Sequence, residues 1–198
     1  MVNLKRTRDD ILQAVISTVH KQGLVATSLS ELLDKSGASS GSFYNYFHSK
    51  DELGHALIDF EWNLLLENIL QPALKSSENP IDQVVDILNR LEAKNLEKPN
   101  CGGCLLGNFV VDLVEQDQSF RHHLTQIFDR WEQVIAETLG QATDQLQPDI
   151  DPDHLAEQIL TVVEGTMLMG RLRHDPDRIR RGFASARQLI VLACSPKI

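Results

Sequence analysis

TSLSELLDKSGASSGSFYNYFHSKDEL, residues 27–53, reads as two short helices joined by a tight turn. Ser28 stands where it caps the first helix, and Glu31, three residues on, completes a capping box. Leu29, Leu32 and Leu33 give that helix one apolar face. Gly37 falls where the helix must stop, because glycine takes the left-handed conformation without a Cβ penalty. Ser39 caps the second helix, whose inward residues are Phe43 and Phe47. Its outward residues are Ser40, Gly41, Ser42, Tyr44, Asn45 and Tyr46, all small, hydroxylated or amide-bearing, with no acid among them. Such a surface approaches a phosphate backbone closely and donates hydrogen bonds to it. Ser49 and Glu52 make a further capping box, and Lys50 adds a cation beside the tyrosines. The pattern is a helix-turn-helix.

The same stretch carries a family resemblance. Thr27, Leu32, Gly37, Ser39, Gly41, Tyr44, Phe47, Lys50 and Leu53, spaced without a gap, resemble the signature of the TetR (tetracycline-repressor) family of bacterial transcriptional regulators. The resemblance implies an all-α chain: a three-helix DNA-binding head over residues 1–48, and a helical ligand-binding and dimerisation body over 49–198. It also implies about nine helices, a homodimer, a double-stranded DNA operator, a small-molecule effector and, most often, repression. The DNA-contacting set is Thr27, Ser28, Ser39, Ser40, Gly41, Ser42, Tyr44, Asn45, Tyr46 and Lys50. Tyr44, Tyr46 and Lys50 are expected on phosphates, with Ser40, Ser42 and Asn45 on base edges. Two positions depart from the family: Ser40, where members often carry Lys or Arg, and Ser36, where a small apolar residue is usual.

A net charge of −9 argues against a nucleic-acid partner until its distribution is read. Through Leu53, six bases balance six acids, and the remainder holds 22 acids against 13 bases. A neutral head on an acidic body is compatible with salt-sensitive DNA binding. Lys5, Arg6 and Arg8 read either as an arm reaching DNA or as a solvated tail. The 198 residues have ordinary globular composition, 42% hydrophobic and 24% charged. No run approaches the roughly 18 apolar residues of a membrane span. No signal peptide precedes the first helix, and three cysteines without one suit a reducing compartment, so the cytoplasm is expected.

Helical periodicity covers the chain and strand alternation is nowhere sustained. Thr7 and Asp10 cap a first helix that ends at Gly23. A long helix starts at Ser49, runs through Leu53, Leu57, Phe60 and Leu64 to Pro72, and mechanically links head to body. SSENP (76–80) and KPNCGG (98–103) are breaks, followed by an apolar helix from Cys104. Phe120–Leu139 marks another long helix, and QPDIDPD and HDP separate the last two. Those two form an antiparallel pair, with Gly165 and Gly170 suited to close helix approach and Met167 and Met169 to irregular surfaces. The pair packs onto its own body or meets its copy in a second subunit, and the resemblance favours the second.

No enzyme motif is present: no nucleophile elbow, no HExxH, no phosphate-binding glycine loop. Asp112 with Glu115, and His122 with His123, read as solvated helix faces. Cys101-Gly-Gly-Cys104 lacks the further ligands of a zinc site and the strands of a redox fold, so no metal and no cofactor are expected. A thiol oxidoreductase or metal-binding protein is the rival from another class, and an adaptor that has lost DNA binding is a third reading. Cys104, at an apparent helix start, reads either as a sensing thiolate with Cys101 as its partner or as a small core residue. The candidate effector-lining set is Phe60, Leu64, Cys104, Asn108, Phe109, Phe128 and Trp131. Asn108 either orients a ligand or is satisfied by nearby backbone. The six arginines from Arg171 to Arg187 read as helix-face ion pairs.

Overall fold

The computed structural model describes residues 6–97 and 102–194. Every regular element among them is a helix. Helix α1 (Arg8–Gln22) opens on a reciprocal box, in which Thr7 Oγ1 accepts from the Asp10 N–H at 3.2 Å and the Asp10 carboxylate accepts from the Thr7 N–H at 2.9 Å. Those bonds to Thr7 hold the Asp10 carboxyl below its usual range. α2 (Leu29–Ser36) and α3 (Ser40–Tyr44) follow, separated by Gly37 at φ 63°. Ile11, Leu12, Val15 and Val19 of α1 join Leu32, Phe43 and Phe47 in one buried cluster. Each such side chain contributes roughly 1.5–3 kcal/mol when fully buried, so this cluster, more than the short helices themselves, holds the head.

α4 (Lys50–Leu65) runs on through a π-helical turn, Leu66–Leu70, into the single turn α5 (Gln71–Ala73). The body is completed by α6 (Pro80–Glu97), α7 (Leu105–Leu113), α8 (Gln118–Gly140), α9 (Pro152–Arg173) and α10 (Pro176–Ala193). Counting α4 to α5 as one rod gives nine helices among the described residues, as the sequence leads one to expect. α9 lies between α8 and α10, and α10 also packs on α6. Gln147 N–H donates to Ala193 O at 2.9 Å, fastening the α8–α9 loop to the end of α10.

The hydrophobic core does not divide at residue 48. One cluster runs from Ile11 through Leu53, Leu57 and Trp131 to Ala193. Gly54 marks the tightest point of the junction, because a Cβ there would lie 2.5 Å from Leu24 Cδ2 and 2.9 Å from Phe120 Cζ. The two expected small-residue contacts of α9 have different fates. A Cβ on Gly170 would overlap Ile179 of the same chain, whereas Gly165 faces open space. Gly165, Leu168 and Leu172 follow one another at helical spacing along exposed α9, and Val191 and Leu192 are exposed near the end of α10. Met167 is buried and Met169 half-buried. Three of the C-terminal arginines form the expected ion pairs: Arg187 with Glu92 at 2.7 Å, Arg180 with Asp177 at 2.7 Å and Arg181 with Asp175 at 3.5 Å.

Candidate nucleic-acid interface and body cavities

Capping side chains set the geometry of the helix-turn-helix. Ser28 Oγ accepts from Glu31 N–H at 3.1 Å, and Ser39 Oγ accepts from Ser42 N–H at 3.2 Å. Each hydroxyl keeps its own proton available to an outside acceptor. The two expected capping boxes are only half present. Glu31 does not reach back to Ser28 but accepts from Gln22 Nε2 of α1 at 2.9 Å. Glu52 accepts from the His48 N–H at 2.7 Å, one residue before the Ser49 cap. In both cases the glutamate finds a partner outside its own helix, so it ties elements together rather than closing a single turn.

α3 is shorter than the sequence pattern predicts. It ends at Tyr44, where the Asn45 N–H closes onto the carbonyls of Gly41 and Phe43, and Asn45 and Tyr46 form a turn. The five residues SGSFY have little intrinsic helix preference, so the element persists only because Phe43 is held in the core. Phe43 and Phe47 are fully buried with ring centroids 5.4 Å apart. They brace an outer surface made of Ser39, Ser40, Gly41, Tyr44 and Asn45, all exposed, with Ser42 and Tyr46 half-buried beside them. No protein atom lies within 4 Å of where a Gly41 Cβ would sit, which leaves the way open for another molecule to approach. Arg6 lies beside the α2–α3 turn, its Nη2 3.4 Å from the Cβ position of Gly37. The Arg8 guanidinium sits 5.6 Å over the Phe47 ring. These two cations therefore line the motif instead of extending as an arm, and Lys5 lies outside the described residues.

Two members of the expected contact set are engaged internally. Thr27 is completely buried, and its hydroxyl donates to the Gly23 carbonyl while accepting from Gln22 Nε2 at 3.2 Å. It fixes the α1–α2 loop and has no surface to offer DNA, which corrects its place in the set. Lys50 donates from Nζ to Val25 O at 2.9 Å. An ammonium has three protons, so two remain for an outside acceptor.

The matched families confirm what this geometry suggests. Residues 11–57 match a family profile described as bacterial regulatory proteins, tetR family, and residues 80–186 match the tetracyclin repressor-like C-terminal domain. The chain belongs to the TetR family. It is similar to an uncharacterized HTH-type transcriptional regulator in the lacX 3' region of Lactococcus lactis subsp. lactis, 30% identical over 91% of each chain. It is 26% identical to the HTH-type transcriptional repressor DhaR of Mycobacterium sp. (strain GP1), over 78% of this chain and 77% of that one. Among solved structures, the regulatory protein TetR from Rhodobacter sphaeroides superposes with a TM-score of 0.81 at 25% identity, covering 91% of this chain and 97% of its own. The chain is thus a DNA-binding transcriptional regulator of this family, with the all-α head-and-body plan. No helix among the described residues is long and apolar enough to cross a membrane.

In this TetR-family body the expected effector-lining residues do not form one site. Cys104, Asn108 and Phe128 line a groove of about 560 Å³ between α7, α8 and α9. Leu64 lies instead on a polar cleft of about 610 Å³ between α1, α4 and α6, beside Glu61, Arg90 and Lys94. Trp131 is core and borders a cavity of about 20 Å³, and Phe109 is core outright. Phe60 is half-buried against the core and lines none of these spaces. Asn108 Nδ2 donates to Gly102 O at 3.4 Å while the residue lines the groove.

The surroundings of Cys104 oppose the thiolate reading and favour the core one. Cys104 does cap α7, its sulfur accepting from the Gly107 N–H at 3.4 Å. Burial, and next the Glu164 carboxylate on α9, push the thiol well above its ordinary value and outweigh that bond. Cys101, its proposed partner, lies outside the described residues. The sequence reading missed Glu164 altogether, although an acid inside LTVVEGTM was a visible signal. Burial raises its carboxyl to about 7.

Asp112 is not the solvated acid its spacing implies. Its carboxylate accepts from the Val25 N–H at 3.0 Å, so α7 grips the α1–α2 loop of the head, while Arg171 of α9 donates to Lys21 O at 3.1 Å. A second joint involves His55 of α4, which stacks on Phe120 and meets His123 Nδ1 at 2.9 Å. Burial, followed by His123, lowers the His55 pKa. α7 thus borders the groove on one side and holds the head on another.

Proposed function

We propose that the chain works as a homodimeric repressor, divided into a DNA-reading head (1–48) and an effector-binding body (49–198). The observation that carries the reading is the outer surface of α3, which is exposed, free of acid, open at Gly41 and braced from behind by Phe43 and Phe47. Ser40, Ser42 and Asn45 are assigned to base edges. Tyr44, Tyr46, Lys50 and the capping hydroxyls of Ser28 and Ser39 are assigned to phosphates. The exposed stripe Gly165, Leu168 and Leu172, with Val191 and Leu192, supports pairing of two α9–α10 hairpins. Two such heads span half-sites about 34–36 Å apart, or a multiple of that. The likeness to DhaR, named as a repressor, supports the sign of regulation. An effector in the α7–α9 groove shifts the head by moving α7, provided it binds the DNA-free arrangement more tightly.

The test is selection of bound fragments from genomic DNA, followed by titration of the selected site. Tyr44→Ala with Lys50→Ala removes two phosphate contacts, together worth about 2 kcal/mol, roughly a 30-fold loss of affinity. Lys50→Ala alone flattens the salt dependence by about one unit of slope. Full affinity in the folded double variant overturns the assignment.

A further inference from the structure

We infer that the groove between α7, α8 and α9 binds a small apolar molecule bearing one cationic amine, whose ammonium sits on the Glu164 carboxylate. This rests on the effector reading above and names the chemistry of the effector. Glu164 Oε1 is shut off from solvent and accepts no hydrogen bond from the protein. Such an orphaned carboxylate oxygen is costly, and a ligand in the groove removes the cost once the carboxyl turns to meet its donor. Space for the carboxyl has been left open by Gly107, where any Cβ would overlap Glu164 Oε2. Around it the walls are apolar, built from Val110, Val114, Leu124 and Phe128, with Leu168, which the dimer reading places at the seam, at the rim. A volume of about 560 Å³ falls within the range of small-molecule sites.

The charges facing the groove select the sign of the ligand. From α7, Cys104 offers a neutral thiol that donates toward the carboxylate. From α8 come Asp129 and Arg121, and Arg121 is already bound to Glu115. Glu61 of α4 raises the Cys104 thiol further but does not line the groove and is itself ion-paired with Lys94 at 2.8 Å. None of these neutralises Glu164, so the groove repels a carboxylate ligand and attracts a cation. The Phe128 face adds a further attraction for an ammonium. With Glu164 titrating at about 7, its ionised fraction rises from about one-tenth at pH 6 to about nine-tenths at pH 8. An alkylamine stays protonated throughout that window, since its pKa lies near the lysine value of ~10.4.

The experiment uses three isosteric probes: 2-phenylethylamine, 2-phenylethanol and 3-phenylpropanoate. Each is titrated calorimetrically into the full-length protein at pH 6 and pH 8, and scored for release of selected DNA. The amine is expected to bind at least tenfold more tightly than the alcohol at pH 8, and to gain about tenfold between pH 6 and pH 8. Glu164→Gln is expected to erase the preference for the amine over the alcohol and the pH dependence, with an unchanged circular-dichroism spectrum showing that the groove still folds. Equal affinity for amine and alcohol, a preference that survives Glu164→Gln, or tightest binding of the carboxylate each overturns the inference. Binding by none of the three overturns it as well, and is what a second copy seated in the groove produces. The effector reading itself fails separately, when no compound of any class in a broad library alters DNA affinity.

Discussion

Replacing Asp112 by alanine removes the bond by which α7 holds the α1–α2 loop. The Val25 N–H lies at an exposed residue, so water replaces the lost acceptor and only the net value of the bond disappears. An intramolecular hydrogen bond is worth about 0.5–1.5 kcal/mol net, and the charge on Asp112 adds little because the side chain is half-exposed. A loss of about 1 kcal/mol corresponds to roughly a fivefold rise in local opening. Hydrogen exchange at the Val25 amide, measured by NMR under native conditions, should speed up by that factor, while core amides such as Leu57 and Ile159 keep their protection. Asp112→Asn, which retains an acceptor oxygen, should recover most of the effect. The same alanine variant should bind an effector normally yet couple it less strongly to DNA release. Unchanged Val25 exchange, or a uniform loss at every amide, would show that the bond does not tether the head and that coupling runs elsewhere.

Gly54→Ala should destabilise the protein by about 1–3 kcal/mol in urea titrations, because its Cβ must displace Leu24 and Phe120 where head meets body. Glu164 has a folded-state pKa of about 7 against an ordinary 4.5, so its ionisation opposes folding. That penalty is absent below about pH 4.5, grows as pH rises and is complete above about 7. Glu164→Gln should therefore match the parent near pH 4.5 and exceed it by about 2–3 kcal/mol at pH 8 in paired denaturation curves; a gap constant across pH refutes this. Cys104, with Cys101 and Cys194 replaced by serine, should react with iodoacetamide at pH 8 at least tenfold more slowly than a free thiol; faster reaction means that the thiolate is accessible after all.

The head was legible in the sequence because its signals are local. Ser28, Gly37, Ser39 and Ser49 act through backbone atoms within four residues, and such constraints survive in any tertiary context. Phe43 and Phe47 were equally readable, since two aromatic residues four apart in an otherwise polar segment have nowhere else to go. The body's sites were not readable, because a cavity and a core are lined by the same residue types. Phe109 and Phe128 are alike in sequence, yet one is sealed and the other borders open space. Cys104 misled for a related reason. A helix start favours a thiolate, but burial by the surrounding helices and then a carboxylate from α9, sixty residues away, oppose it, and no local rule reports either. Asp112 shows the same limit from the other side, since its partner, Val25, is 87 residues earlier in the chain.

The π-helical turn at Leu66–Leu70 changes the phase of the rod that joins head to body. A helix counted onward from Leu65 at 3.6 residues per turn would bring Ile69 and Pro72 to the core side and turn Leu70 away from it. With its wider turn the rod buries Leu70 and Ala73 as well as Ile69, and leaves Asn68 exposed, its amide donating to Leu64 O at 2.8 Å. The two ends of one continuous rod therefore answer to different angular settings, one keyed to the head and one to α6. A pattern of apolar residues that looks out of step in the sequence is in step on the rod, because the rod itself carries the offset.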